Sequence, residues 1–293
     1  MTTFFKIPTH MTIIVLTWLI VVSGCNSDQG EQVMPKPVNF IVLLDLSDRL
    51  TVSGTDINDQ ALILAVARQF ESRVKMNLII RSSDKFKIRI FPQKGYRLDV
   101  NMYENMLSID MKALEIALKN SQLKRFMVDL PATVRQLYLD ASLDKTKTSD
   151  YFGSDIWKYF NEQLRLDLEK DCKNHIIVLT DGYFDFENSA HAISRGNRHT
   201  SSDFYSRLSG PDWMKEANDK DFGIIPVNLE KPFCCCICGL NPKNEQLTEM
   251  EKISWFWQKW MRESNADTCF LIPFSSSEKM KGIIQKYIGK EVN

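Results

Sequence analysis

The chain is 293 residues long, 44% hydrophobic and 25% charged, with 37 Lys and Arg against 37 Asp and Glu. These are the proportions of a folded globular protein and exclude a disordered or collagen-like one. A formal net charge of zero excludes a protein that holds nucleic-acid phosphate through a strong overall positive field, and no nucleic-acid partner is expected.

Lys6 precedes an uncharged run from Met11 to Gly24. The run is shorter than the roughly 20 residues of a spanning helix and reads as a signal-peptide core. Ser23 and Gly24 stand directly before Cys25. This Val-Ser-Gly-Cys sequence resembles the lipobox of bacterial lipoproteins, which implies removal of residues 1–24 and lipidation of Cys25. The resemblance points to the bacterial cell envelope, and Asn26, where Asp would favour inner-membrane retention, points to the outer membrane. An uncleaved anchor or an ordinary secretory signal is the alternative. Residues 25–37 are polar, with Gly30, Pro35 and Pro37, as a flexible tether requires. One α/β domain, 38–293, is expected beyond it.

Val38 to Leu44 is an apolar run interrupted only by Asn39 and ending at Asp45, the pattern of a central strand covered on both faces. From Asp56 to Val74, residues Leu62, Val66 and Phe70 share one helical face. Lys85 to Phe91 alternates with period two and stops at Pro92, a half-exposed strand near an edge. The 102–142 stretch reads as helical, with Leu107, Met111, Leu114 and Leu118 in register and Pro131 opening a second helix. Ile156 to Glu169 is a further helix, carrying Trp157, Phe160, Leu164 and Leu168. His175 to Thr180 is a second buried strand, closed by Asp181-Gly182.

Gly223 to Leu229 contains Pro226 and is expected as an edge strand or a loop. Cys234, Cys235, Cys236 and Cys238 lie in one apolar run between Pro232 and Gly239. With no second pair of ligands they read as small hydrophobes in a buried strand rather than as a metal or redox cluster. Disulfide connectivity, for instance Cys172 with Cys269, is not deducible from the sequence. A helix over 244–265 follows, with Ile253, Phe256, Trp257, Trp260 and Met261 on a core stripe and Trp255 off it. A strand from Thr268 to Pro273 and a helix from Ser276 to Ile288 complete the chain. Strands alternating with helices predict a doubly wound, mostly parallel sheet with helices on both faces.

Ligands of such sheets bind beyond the carboxyl ends of the strands. Three polar groups are expected there: Asp45-Leu46-Ser47-Asp48-Arg49, Gly153-Ser154-Asp155-Ile156 and Thr180-Asp181-Gly182. Their order and placement resemble the von Willebrand factor type A domain, whose metal-ion-dependent adhesion site combines an Asp-x-Ser-x-Ser loop with a distal Thr and a distal Asp. The resemblance spans 38–290 and implies that Asp45, Ser47, Ser154 and Asp181 hold Mg2+ or another divalent cation, which takes a carboxylate from a partner. Hard-oxygen donors of this kind suit such a cation. Ser154 also fits a helix amino-terminal cap, and Asp45 and Asp181 also fit plain turn formation.

Arg49 stands at the second loop Ser, and a guanidinium cannot ligate a cation. Directed inward, it neutralises Asp45 and Asp181 in place of the metal; directed outward, it leaves a weaker metal site. From Tyr183 to Phe222 a long insertion is expected, with a packing cluster of its own or with a basic middle facing a partner. Arg195, Arg198 and Arg207 are its partner-contact candidates, beside His191 and His199, with Phe184, Phe186, Phe204, Tyr205 and Trp213 as contact area. The resulting expectation is a non-enzymatic, lipid-anchored envelope module that engages a protein or glycan through an acidic group. The alternatives are a metal-assisted hydrolase using the strand-end carboxylates and a structural lipoprotein with a metal-free relic site. Asp-x-Asp-x-Thr, Gly-x-Ser-x-Gly and a phosphate-cradling glycine loop are all missing from the sequence, which weighs against the hydrolase.

Overall fold

The computed structural model describes residues 36–91, 93, 98–185, 192–243 and 247–292. Cys25, Phe186 and His191, and with them the signal and most of the tether, lie outside the described residues. In chain order the elements begin with strand β1 (Val38–Leu44), helix α1 (Thr55–Met76), β2 (Lys85–Ile90), α2 (Val100–Met106), β3 (Ser108–Asp110) and α3 (Lys119–Ser142). Helix α4 runs from Ile156–Lys158 through a π-helical turn, Tyr159–Gln163, to Leu164–Asp167, and β4 (Lys173–Leu179) follows. The second half contains β5 (Ser194–Arg195), β6 (Arg198–His199), α5 (Trp213–Asp219), β7 (Gly223–Ile224), β8 (Phe233–Leu240), α6 (Leu247–Glu263), β9 (Ala266–Pro273) and α7 (Ser277–Val292).

Six strands form the main sheet in the order β3-β2-β1-β4-β8-β9, all parallel except β3, which runs antiparallel to β2. The chain therefore winds outward from β1 to one edge, returns to β4 and winds outward to the other. The order reverses between β1 and β4, where loops leaving the two strands diverge and open a crevice. Every residue of β1 is buried, and its one polar member, Asn39, donates to the Asp167 carbonyl and to Asn174 Oδ1 at 2.9 Å each. The even-numbered β1 side chains Phe40, Val42 and Leu44 pack under α1, α3 and α7. Ile41 and Leu43 point to the opposite face, covered by α4, α5, α6 and the insertion. The cysteine-rich strand is β8, and all its cysteines are free, as are Cys172 and Cys269.

The helical reading of 102–142 needs correction. Helix α2 stops at Met106, and Ser108–Asp110 pairs with β2 as the edge strand. The exposed edge of β2 supplies partners for these backbone groups, and that tertiary demand outweighs local helix propensity. Pro131 lies within α3 and does not open a helix. Its ring faces solvent, while Leu123, Phe126, Leu130, Val134 and Leu137 hold the helix to the core at intervals of three and four.

The described buried apolar residues of the insertion, Phe184, Phe204, Tyr205, Leu208, Trp213 and Phe222 among them, belong to the core cluster of α6. Phe204, Tyr205 and Trp213 pack on Phe256 of α6 at ring-centroid distances of 4.9, 5.0 and 6.2 Å, Phe204 edge to face, Tyr205 stacked and Trp213 tilted. Their surface is spent in the main core and is not contact area for a partner. A small sheet, β5-β6-β7, ties the insertion together, with β7 parallel to β6. Trp255 is half-exposed and meets Trp213 edge to face at 5.9 Å. Among the described residues no helix is long and apolar enough to cross a membrane.

Candidate functional site

The crevice between β1 and β4 receives the residues that follow each strand. The Asp45 amide continues the β1–β4 ladder by donating to the Leu179 carbonyl at 3.0 Å. Its carboxylate then turns back across the crevice. Oδ1 accepts the Ser47 amide at 3.1 Å and Oδ2 accepts the Thr180 hydroxyl at 2.8 Å. Thr180 Oγ1 in turn accepts the Gly182 amide at 3.1 Å, and Asp181 Oδ1 accepts the Tyr183 amide at 3.2 Å. The two strand-end loops are thus stitched together by side chains.

Gly182 has φ +101°, and a Cβ there would lie 2.5 Å from Ile253 Cγ2 and 2.7 Å from Leu240 Cδ2. The turn that presents Asp181 therefore requires glycine twice over, for its dihedral and for its space.

Asp45 and Asp181 are brought together. Burial, then the charge of Asp45, pushes the Asp181 carboxyl up to about 7, while Lys243 and Arg49 act the other way. Among the described residues no cation pairs with either carboxylate, and the two cations that act on Asp181, Lys243 and Arg49, are paired with other acids. Arg49 forms a two-pronged pair with Asp59 of α1, Nη1 to Oδ2 at 2.7 Å and Nη2 to Oδ1 at 3.1 Å. Nη1 also donates to the Asp45 carbonyl at 3.1 Å, and Tyr138 OH donates to Asp59 Oδ2 at 2.9 Å. Burial works to lower the Arg49 pKa, but Asp59, and Asp45 less, raise it above the ordinary value, so the guanidinium stays charged.

Arg49 therefore points inward; its contact ion pair is with Asp59, and it acts on the carboxylates of Asp45 and Asp181 through charge alone. Lys243 sits on the rim, 2.8 Å from Asp185 Oδ2 and 3.6 Å from Asp48 Oδ2, with its ammonium 5.0 Å from the centre of the Tyr183 ring.

Ser47 and Ser154 are both buried. The Ser154 hydroxyl accepts from Gln93 Nε2 at 3.1 Å. It does not cap α4: Asp155 does, accepting the Lys158 amide at 2.9 Å. Arg198 is a structural cation, bridging Asp221 and Glu263 at 2.5 Å each. Arg195 and Arg207 are exposed. His199 stacks on Phe204 at 5.1 Å.

Asp59 and Lys243 were not legible as site residues. The signal for Asp59 was its place on the apolar stripe of α1 beside Leu62 and Ile63, where a carboxylate needs a buried cation. Nothing near Lys243 marks it, since its partners come from loops distant in sequence.

Among the described residues no group of three or more His, Cys, Asp or Glu side chains is placed to hold a metal. A cation here would rest on two carboxylates, hydroxyls and water. That set is all hard oxygen, and Asp181 lacks a neutralising partner in contact, so the residues fit a magnesium-like ion.

No family model matches the chain, and no curated protein matches it in sequence. In structure it is similar to the pilus adhesin SpaC of Lactobacillus rhamnosus GG in its open conformation, at a TM-score of 0.45 and 10% identity. A second structure of that adhesin gives 0.44 and 14%. Each likeness covers 88% of this chain, which spans 30% of the adhesin's length.

Proposed function

We propose that the chain is a non-enzymatic, lipid-tethered envelope module of the von Willebrand factor A kind. Its strand-end face binds a divalent cation through Asp45 and Asp181, with Ser47 adjacent and Ser154 as a further ligand, and through it the acidic group of a protein or glycan. One observation carries the reading: two buried carboxylates converge at the point where the strand order reverses, and the adjacent arginine is committed to Asp59. Leaving such a pair without a positive charge costs stability, and a cation would recover it. The parallel order around β1 and the single antiparallel edge strand support the same fold. When bound, a magnesium-like cation would supply a Lewis-acidic position for an incoming carboxylate. The chain's own contribution is to orient Asp45, through Thr180 and the Ser47 amide, and to keep Arg49 out of that position.

The test is calorimetric titration of the full chain in detergent with Mn2+, above and below pH 7. The expected result is one site that weakens by about tenfold per pH unit below about pH 7, as the proton competes for Asp181, and that is lost in Asp181→Asn and Asp45→Asn. Wild-type Mn2+ affinity in both variants would sink the site assignment. Retained partner capture by both variants would sink the use of this face.

A further inference from the structure

The opposite end of the sheet, where the parallel strands begin, is organised by another carboxylate. Asp84, fully buried, accepts the Val38 amide at 2.8 Å, the Asn77 side chain at 3.1 Å and the Ser82 hydroxyl at 2.6 Å. Its carbonyl accepts the Met111 amide at 3.0 Å. Beside it the Lys36 carbonyl accepts from Arg73 Nη2 at 3.1 Å, and Lys119 Nζ reaches the Ser82 carbonyl at 2.7 Å. Three segments therefore meet here: the entry of the chain at Lys36, the α1–β2 loop and the segment leading into α3.

Both loops hold large apolar side chains in water. Met76 is 61% exposed, Leu78 56% and Ile80 54%, and from the second loop Ile116 is 68% and Leu118 44%. Scattered exposed apolar residues are ordinary, but these five come from two segments that meet at the turn of Ser82 and Asp84, one through the Asp84 carboxylate and the other through the Ser82 and Asp84 carbonyls. Leu78 adds a second signal. Its φ of 51° is a left-handed conformation that favours Gly or Asn, and the turn is closed by the Arg81 amide donating to the Leu78 carbonyl at 2.7 Å. A bulky apolar residue thus occupies a strained position and faces outward. Lys75, Arg81 and Lys112 are exposed around these tips, with Glu71 paired to Lys75 at 2.6 Å and Glu115 exposed in the second loop.

We propose that this end of the domain rests on an anionic bilayer, with the Met76–Ile80 and Ile116–Leu118 loops inserting their apolar side chains at headgroup level. Apolar tips flanked by three cations against two acids, with Arg81 and Lys112 outside the Lys75–Glu71 pair, have the composition of an interfacial surface. The inference rests on the reading of Cys25 as the lipid anchor. A chain anchored there enters the domain at Lys36, at the end that bears the patch, and a short polar tether keeps the tips at high local concentration near the membrane. Weak insertion then suffices, and the Asp45–Asp181 face is presented away from the bilayer.

The test places an environment-sensitive fluorophore on the full chain at Ile80→Cys, Ile116→Cys or Ser53→Cys. Ser53 follows β1 at the site end, and the unsubstituted chain labelled in parallel gives the background. The chain is bound to vesicles of phosphatidylethanolamine with phosphatidylglycerol, and quenching by brominated acyl chains is read. The expected result is quenching severalfold stronger at 80 and 116 than at 53, and weaker at 80 when phosphatidylcholine replaces the anionic lipid. Vesicle-bound chain with quenching at 80 no stronger than at 53 would overturn the inference and leave the anchor standing. Shielding of 80 from aqueous iodide without quenching by lipid would also overturn it, in favour of a second copy or another segment of the chain. Chain that fails to float with vesicles would overturn the anchor and this surface together.

Discussion

Asp167 and Asp181 are each 7% exposed, yet their carboxyl groups are driven in opposite directions. Burial works to raise both. At Asp167, at the end of α4, it is overcome by Arg89, which donates at 2.9 and 2.8 Å, by Lys87 at 3.1 Å and by Tyr159 OH at 2.7 Å, and the carboxyl falls below its usual range. At Asp181 burial is joined by Asp45, and the carboxyl rises to about 7 because Arg49 and Lys243 spend their contacts on Asp59 and Asp185. Equal solvent exposure of the residue therefore does not decide what a buried acid is for. The partners do: Asp167 belongs to a completed ion network that clamps α4 to β2, whereas the Asp181 carboxylate accepts the Tyr183 amide and has its nearest cations paired to other acids.

The contrast breaks most sharply by removing the completed network. Asp167→Ala leaves Lys87 and Arg89 facing a half-buried gap and is expected to cost about 3–5 kcal/mol. Urea unfolding at neutral pH measures it. A loss below about 1 kcal/mol would mean that the network is solvated and contributes as little as a surface pair.

Asp181→Asn should act in the opposite direction. The raised carboxyl binds its proton more tightly folded than unfolded, so its contribution to stability is full below the unfolded value near 4 and is lost as pH rises through about 7. Asn keeps an oxygen for the Tyr183 amide and carries no charge. The variant should therefore match the wild type near pH 4 and exceed it by about 2–3 kcal/mol at about pH 8 without divalent metal. Excess Mn2+ should narrow the gap by stabilising the wild type alone. A variant less stable than wild type at every pH would return Asp181 to the class of Asp167.

Much of this contrast was legible in the residues. β1, β4 and β8 announce themselves by apolar runs, residues 40–44, 176–179 and 233–240, because strands covered on both faces have no polar side to alternate with, and Asp45 and Asp181 follow two of them. The destination of Arg49 was not legible. Its position beside Asp45 suggested that it would neutralise that acid, and only the packing of α1 shows Asp59 closer. Edge strand β3 was hidden because three residues carry no periodicity, and its pairing is imposed by β2. The aromatic residues of the insertion were misread for a related reason: Phe204 and Tyr205 look alike in sequence whether they face water or α6.

A smaller effect sharpens the comparison from the basic side. His175, on β4, is buried against Phe40 at a ring-centroid distance of 5.7 Å, and both ring nitrogens lack partners. Burial, helped by Lys173 and Arg73, holds its pKa down to about 4. The folded chain thus keeps the ring neutral while the unfolded chain protonates it below about 6.5, so this stability is full above 6.5 and is lost as pH falls toward 4. Over that range His175 and Asp181 tilt the stability curve in opposite directions, which is why the wild-type profile should look flatter than either group alone would make it. His175→Leu removes the acid-side loss and is expected to gain about 2 kcal/mol on wild type at about pH 5, and little at about pH 8 once any packing change is subtracted. Combined with Asp181→Asn it should add without coupling, since the two groups sit at opposite ends of β4. An advantage of His175→Leu that does not shrink from pH 5 to pH 8 would show that the buried ring is costly for its unpaired nitrogens and not for its proton.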